Sequence, residues 1–176
     1  SQSEYNANTQ GFNAYGFKCS LISYTGNGAN RTIPHNLGQT PLFALCKATQ
    51  NSAQSWYVYH AGYLSPSYQK CLNLENTNAL GADTSIMTAT PDSINLYLGT
   101  HSWVNAGSVI YQWYLFEKNN TSQFSYYIGT GSLLNISCGF TPKLIIIRRT
   151  DVASNWYLLD TLSTSSTTIN GYFYLN

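Results

Sequence analysis

Leu42-Phe-Ala-Leu-Cys-Lys47 followed by Ser55-Trp-Tyr-Val-Tyr-His60 decides the fold, because the same pair returns as Leu144-Ile-Ile-Ile-Arg-Arg149 and Asn155-Trp-Tyr-Leu-Leu-Asp160. In each pair a short apolar run closes on basic residues, a polar turn follows, and a Trp-Tyr segment comes back. Apolar runs this short, bounded by turn residues, read as strands. The return segment makes each pair an antiparallel hairpin. A continuous run also predicts a strand buried on both faces. Pro41 and Pro142 stand just ahead of the runs, where a missing backbone N–H is tolerated.

The correspondence extends outward from the hairpins. Tyr24-Thr-Gly-Asn-Gly28 returns as Tyr127-Ile-Gly-Thr-Gly131, and Asn36-Leu-Gly-Gln-Thr-Pro41 returns as Cys138-Gly-Phe-Thr-Pro142. Gly26 maps to Gly129 with an offset of 103, Pro41 to Pro142 with 101, and Trp56 to Trp156 with 100. A register that drifts so little, with its gaps in loops, marks an internal repeat rather than chance composition. The glycines of the first motif suit a sharp turn leaving a strand.

Residues between the two motifs, 24–60 and 127–160, continue the β pattern. Ser108-Val-Ile-Tyr-Gln-Trp-Tyr-Leu-Phe116 alternates, with Val109, Tyr111, Trp113 and Leu115 on one side. Further strands are expected over residues 69–74, 93–98 and 172–175, with loops over 76–84 and 102–107 and turns over 117–123, 163–168 and 170–171. Strands at this spacing with turn signals between them predict an all-β, antiparallel β-sandwich of jelly-roll or lectin-like type, with internal pseudo-twofold duplication. Residues 1–20 read as an N-terminal linker or arm, and residues 21–176 as one sandwich domain. The two hairpins are expected to pack against each other.

Composition narrows the function. Charged residues make up only 9% of the 176, the formal net charge is +1, and 15 Tyr, 7 Phe and 4 Trp are present. Soluble domains average about 25% charged residues. Nucleic-acid binding needs a basic face that this chain does not encode. No stretch approaches the apolar length of a membrane span, so no membrane insertion is expected. A charge-poor, aromatic chain suits contact with further copies of itself or with a neutral glycan. Cys19, Cys46, Cys71 and Cys138 have no metal-ligand spacing, so no metal is expected and free, buried thiols are. The start at Ser1 without Met is expected of a processed product or a part of something longer.

The string from Tyr24 to Asp160 resembles a repeated domain of uncharacterised function found in tailed-bacteriophage virion proteins. The resemblance rests on Tyr24-Thr-Gly-Asn-Gly28, Arg31-Thr32, His35-Asn-Leu-Gly38, Pro41, Lys47 and Trp56-Tyr-Val-Tyr-His60. Leu72-Asn-Leu-Glu-Asn-Thr-Asn78 and Tyr111-Gln-Trp-Tyr-Leu-Phe116 fit it as well, and Glu4-Tyr-Asn-Ala-Asn-Thr9 with Gly16-Phe17 looks like the tail that links tandem copies. It implies a tail-fibre, head-fibre or decoration domain on the particle surface, active in assembly and host attachment. The implied partners are further copies of the chain, as a trimer, other virion proteins, and host surface glycan. The family offers no catalytic residues to carry over.

The candidate chemistry is sparse. A catalytic reading would pair His35, His60 or His101 with Asp83, Asp92 or Cys71, but no nucleophile–base spacing is recognisable. The seven carboxylates form no visible acid–base pair for glycan hydrolysis. The expectation is therefore no enzyme, no catalytic residue and no cofactor. Trp56 and Trp156, at matching positions, are expected to fill the core. Trp103, in a loop without a counterpart, is the candidate contact residue for a glycan or a protein partner. The alternatives are a lectin-like glycan-binding module and, behind it, a polysaccharide depolymerase.

Overall fold

In the computed structural model the described residues are 3–6, 19–50, 54–63, 67–117, 119–160 and 172–176. The expected turns at 163–168 and 170–171 lie outside them. Among the described residues lie, in chain order, the strands β1 Ser3–Asn6, β2 Cys19–Thr25, β3 Arg31–Pro34, β4 Phe43–Ala48, β5 Tyr57–His60, β6 Lys70–Asn73, β7 Gly81–Ala82, β8 Asn95–Leu98, β9 Ile110–Phe116, β10 Leu144–Arg148, β11 Trp156–Asp160 and β12 Phe173–Tyr174. A single helical turn, α1, spans Ser102–Asn105. The chain is all-β and every strand pairing is antiparallel, as the alternation and turn signals predict.

Seven strands form the main sheet in the order β1-β2-β9-β4-β5-β6-β7, with β3-β8 as a separate ribbon and β10-β11-β12 as a third sheet. The long alternating strand β9 is the sheet's centre, paired with β2 on one side and β4 on the other. Its period-two pattern reads true: Tyr111, Trp113 and Leu115 are fully buried, and the residues between them are half-buried. Tyr24, Ala44, Cys46, Tyr57 and Tyr59 add to the same inner face. Ile33, Leu37, Ile86, Met87, Leu96, Leu98 and Val104 close over it as the second layer. Burying so many large side chains at about 25 cal/mol per Å² of apolar surface is what holds this layer pair together.

Three local expectations change. The loop at 102–107 contains α1, because His101 supplies an N-cap, its ring accepting from the Trp103 N–H at 3.0 Å. The loop at 76–84 contains the short β7, paired with β6. Within residues 1–20, expected as an N-terminal linker or arm, lie β1 and the first two residues of β2, and β1 is an edge strand of the main sheet. β8 falls within the strand expected over residues 93–98, whereas its partner β3, which has no strong alternation, has no sequence expectation behind it.

The two hairpins share one register. Phe43 pairs His60 and Leu45 pairs Val58 in the first, as Leu144 pairs Asp160 and Ile146 pairs Leu158 in the second. The third strand matches too: Val58 pairs Leu72, and Leu158 pairs Phe173. Gly28 and Gly131 have φ of 70° and 75°, and Gly38 and Gly139 are both at 77°, a region that favours glycine.

Their surroundings differ. β4 lies between β5 and β9, with Ala44, Cys46 and Ala48 buried and Phe43, Leu45 and Lys47 half-buried. β10 is a sheet edge, and Leu144 and Ile146 are exposed. The expectation of strands buried on both faces therefore fails for both, because one face of β4 is only half-buried and Leu144 and Ile146 of β10 are exposed. Cys138 is likewise half-buried, not buried as expected, while Cys46 is fully buried, and all four cysteines are free thiols.

Candidate functional site

The residues singled out from sequence gather around α1. Gly26 and Gly28 lead the chain out of β2 and against the end of the helix. The Gly28 N–H donates to the Asn105 carbonyl at 2.8 Å. Asn105 is fully buried, and its side chain donates to the carbonyls of Ala29 (2.6 Å) and Gly99 (2.7 Å) and accepts from the Asn27 N–H (3.0 Å). Tyr24 Oη donates to the Val104 carbonyl and accepts from Trp113 Nε1–H at 3.0 Å. Tyr111 Oη donates to the Ser102 carbonyl and accepts from the Ala106 N–H. The YTGNG motif is thus a cradle that satisfies the backbone groups of a one-turn helix, which has few internal bonds of its own. Asn105 is its hub, and a lone Asn in a polar-rich chain carries no sequence signal of that role.

Trp103 sits on α1, half-buried against the core, with its ring edge-on to His101 at 4.5 Å. Its carbonyl lies 3.7 Å from the Cys46 thiol. The face left to solvent is therefore only part of the indole.

Among the considered pairings, the structure brings His101 to Asp83, with Cys71 near the same carboxylate, and sets His35 against Asp92. His101 Nε2 lies 3.4 Å from Asp83 Oδ2. Asp83 Oδ1 also accepts from the Ser85 N–H and hydroxyl at 2.8 and 2.6 Å, which holds this carboxyl below its ordinary range. His101 Nδ1 is already spent on the Trp103 N–H, so neither ring nitrogen is left to take a proton from a nucleophile. Burial raises the Cys71 thiol, and the Asp83 charge adds to it, the opposite of what a reactive thiolate requires.

His35 is engaged at both ring nitrogens and His60 at Nδ1. His35 is fully buried, with Nε2 donating to the Asp92 carbonyl (3.0 Å) and Nδ1 accepting from the Leu37 N–H (3.2 Å). His60 Nδ1 accepts from the Gly62 N–H at 2.9 Å. No group of three His, Cys, Asp or Glu side chains able to hold a metal occurs among the described residues.

These imidazoles predict an acid response. Burial lowers the pKa of His60 and His101, so the folded chain favours the neutral ring. The stabilisation is present above the ordinary value of about 6.5 and is lost as pH falls through it towards the folded value. Urea midpoints measured from pH 7 to 5 should decline. His101→Asn keeps a capping acceptor and should reduce that decline; an unchanged slope would remove His101 from the account.

The two Trp-Tyr segments also repeat their local chemistry. Lys47 Nζ stands 5.9 Å over the Trp56 ring and Arg148 stands 5.0 Å over the Trp156 ring. The Trp56 N–H donates to Glu75 Oε2 (3.0 Å), and the Trp156 N–H donates to Asn176 Oδ1 (2.7 Å). Burial differs between them. Trp156 is buried against Val58 and Leu72 on the outer face of the main sheet, its Nε1–H donating to the Asn73 carbonyl at 2.9 Å. Trp56 is half-buried beside Tyr114, so the expected core role holds for Trp156 and only in part for Trp56. The backbone turn after β10 pairs with the first half as well, through Leu80 N–H to the Thr150 carbonyl and Ser154 N–H to the Thr77 carbonyl.

Beyond Trp156 the second half has little cover. Ile94 is the one exposed large apolar residue among the described residues up to Phe116, while Ile128 is 81% exposed, Leu133 96%, Leu144 56% and Ile146 47%. Residues 123–137 hold no strand, and a cavity of about 240 Å³ opens where Asn119, Asn120 and Gln123 meet Cys138, Gly139 and Phe140. Exposed apolar surface of this extent is unusual on an otherwise well-buried domain. No helix among the described residues is long and apolar enough to cross a membrane.

No curated protein and no solved structure matches the chain. One family model does, over residues 2–176, under the description "Domain of unknown function (DUF7483)". A match across nearly the whole length means that the chain belongs to the DUF7483 family.

Proposed function

We propose that this chain is a structural module of a bacteriophage virion surface or fibre protein, active in assembly and in host attachment, and not an enzyme. It is built from two copies of one unit, the first complete and the second open. The concentration of exposed apolar side chains after residue 125, Leu144 and Ile146 of β10 among them, carries the reading. A module that works by catalysis or by solitary ligand binding has no use for such a surface, whereas an assembly module needs one. The 9% charge content supports it, since few charges must be desolvated when neighbours meet. The phage assignment rests on the sequence resemblance.

Glycan contact is the weaker part of this reading, because Trp103 spends much of its ring on the core. The test is solution mass against concentration, with an apolar dye as second readout. The chain should associate beyond a monomer and bind dye, and Ile146→Asp should reduce both. A monomer at high concentration that binds no dye overturns the assembly reading.

A further inference from the structure

We propose that Ser23, Lys47, Trp56, Gln112 and Tyr114, which share the outer face of the main sheet, form a binding site for a neutral glycan, with a pyranose ring stacked against Trp56 and Tyr114. The site rests on the host-attachment part of the proposed function and gives that contact a seat other than Trp103.

Strand register assembles the patch. Ser23 of β2 and Lys47 of β4 both pair with Gln112 of β9, so the three side chains form one row across the centre of the sheet. Tyr114 stands two residues further along β9 and points to the same face. Trp56 enters β5 beside it, with the ring centroids 6.2 Å apart and the planes inclined by 36°. Other parts of this face are covered. Phe124 stacks on Phe43 at 5.4 Å, and Trp156 packs against Val58 and Leu72. The five patch residues stay half-buried. Neither Trp56 nor Tyr114 joins the two apolar clusters of the described residues. Of the two Trp at matching hairpin positions, Trp156 is spent on packing at 6% exposure, and Trp56 keeps surface for a ligand.

The chemistry of the patch selects its occupant. A pyranose ring offers a face of C–H groups and a rim of hydroxyls. Electron-rich aromatic faces suit the first, and amide and hydroxyl groups suit the second. Tyr114 Oη donates to Gln112 Oε1 at 3.4 Å, which turns the Gln112 N–H donors away from Tyr114. The Ser23 hydroxyl stands on the other side of that amide, in the same row. Charge excludes an anionic polymer. The cation of the patch, Lys47, lies 5.9 Å over the Trp56 ring and donates to the Gln54 carbonyl. The Glu75 carboxylate accepts from the Trp56 N–H at 3.0 Å. One cation and one carboxylate, each already engaged, leave no net field to draw in a charged chain. Two aromatic rings with a few placed polar groups are the usual make-up of a small-ligand site.

Affinity electrophoresis reads the site, with the whole chain run through native gels containing dextran, mannan or galactan, and alginate as the anionic comparison. At least one neutral polymer should retard the chain. Trp56→Ala should weaken that retardation by about tenfold or more in Kd, and Gln112→Ala by about threefold. Trp56→Phe keeps an aromatic face and should recover part of the loss. Far-ultraviolet circular dichroism checks that each variant is folded. If Trp56→Ala does not fold, Gln112→Ala and Trp56→Phe decide, and unchanged retardation in both overturns the site. Retardation that survives Trp56→Ala defeats only this inference, because glycan is then bound elsewhere on the chain. Retardation by alginate alone overturns the neutral class. A solution mass that falls on Trp56→Ala makes the patch a contact between copies and also overturns it. No retardation by any neutral polymer defeats the site together with glycan attachment, and the assembly reading then stands or falls on solution mass alone.

Discussion

Gly26→Ala should cost the chain about 3 kcal/mol or more, while Gly129→Ala should leave it unchanged or stabilise it by up to about 1 kcal/mol. The two glycines hold the same place in the YxGxG motif, so sequence alone predicts equal effects. At Gly26 an added Cβ would lie 2.1 Å from the Ala106 carbonyl oxygen and 3.0 Å from the Asn105 carbonyl carbon. Both are backbone atoms, and neither can yield without unseating α1 from its cradle. At Gly129 nothing lies within 4 Å, so an added Cβ meets open space. Neither residue has a positive φ, so the difference is one of space and not of backbone conformation. Urea unfolding followed by far-ultraviolet circular dichroism reads both variants. Equal losses at the two sites would mean that the cradle does not explain the motif.

That contrast shows what the sequence could and could not disclose. The long strand β9 with its inner face and the two antiparallel hairpins were legible, because a period of two and a turn between apolar runs are local signals, whereas the short β1, β3 and β7 carry neither. The burial of β10 was not legible. Leu144-Ile-Ile-Ile147 is more apolar than Phe43-Ala-Leu-Cys46, and composition alone places it deeper. Its exposure depends on which neighbour is present, a tertiary fact with no local mark. The site residues divide the same way. Trp103, His101 and Asp83 stand out as residue types, and the structure does bring His101 to Asp83. Only the geometry shows that the ring caps a helix and has no nitrogen to spare. Asn105, which holds three elements together, is one Asn among many until its partners are seen.

Trp113→Ala should be the most damaging change in the chain, at about 3–5 kcal/mol, with Trp56→Ala costing about 1 kcal/mol. Trp113 is fully buried at the centre of β9, edge-on to Tyr57 at 5.8 Å, with its indole N–H bound to Tyr24 Oη. Its removal opens a cavity between the two layers and takes a hydrogen bond from a buried hydroxyl, leaving Tyr24 anchored only to Val104. Trp56 lies on the other face, half-exposed, so its loss leaves no void. Trp113→Phe separates the contributions: it retains most of the packing and forfeits the hydrogen bond, so it should cost less than half as much as Ala. Urea midpoints with near-ultraviolet circular dichroism measure the series, and a Trp56 effect as large as that of Trp113 would place the core on the wrong face.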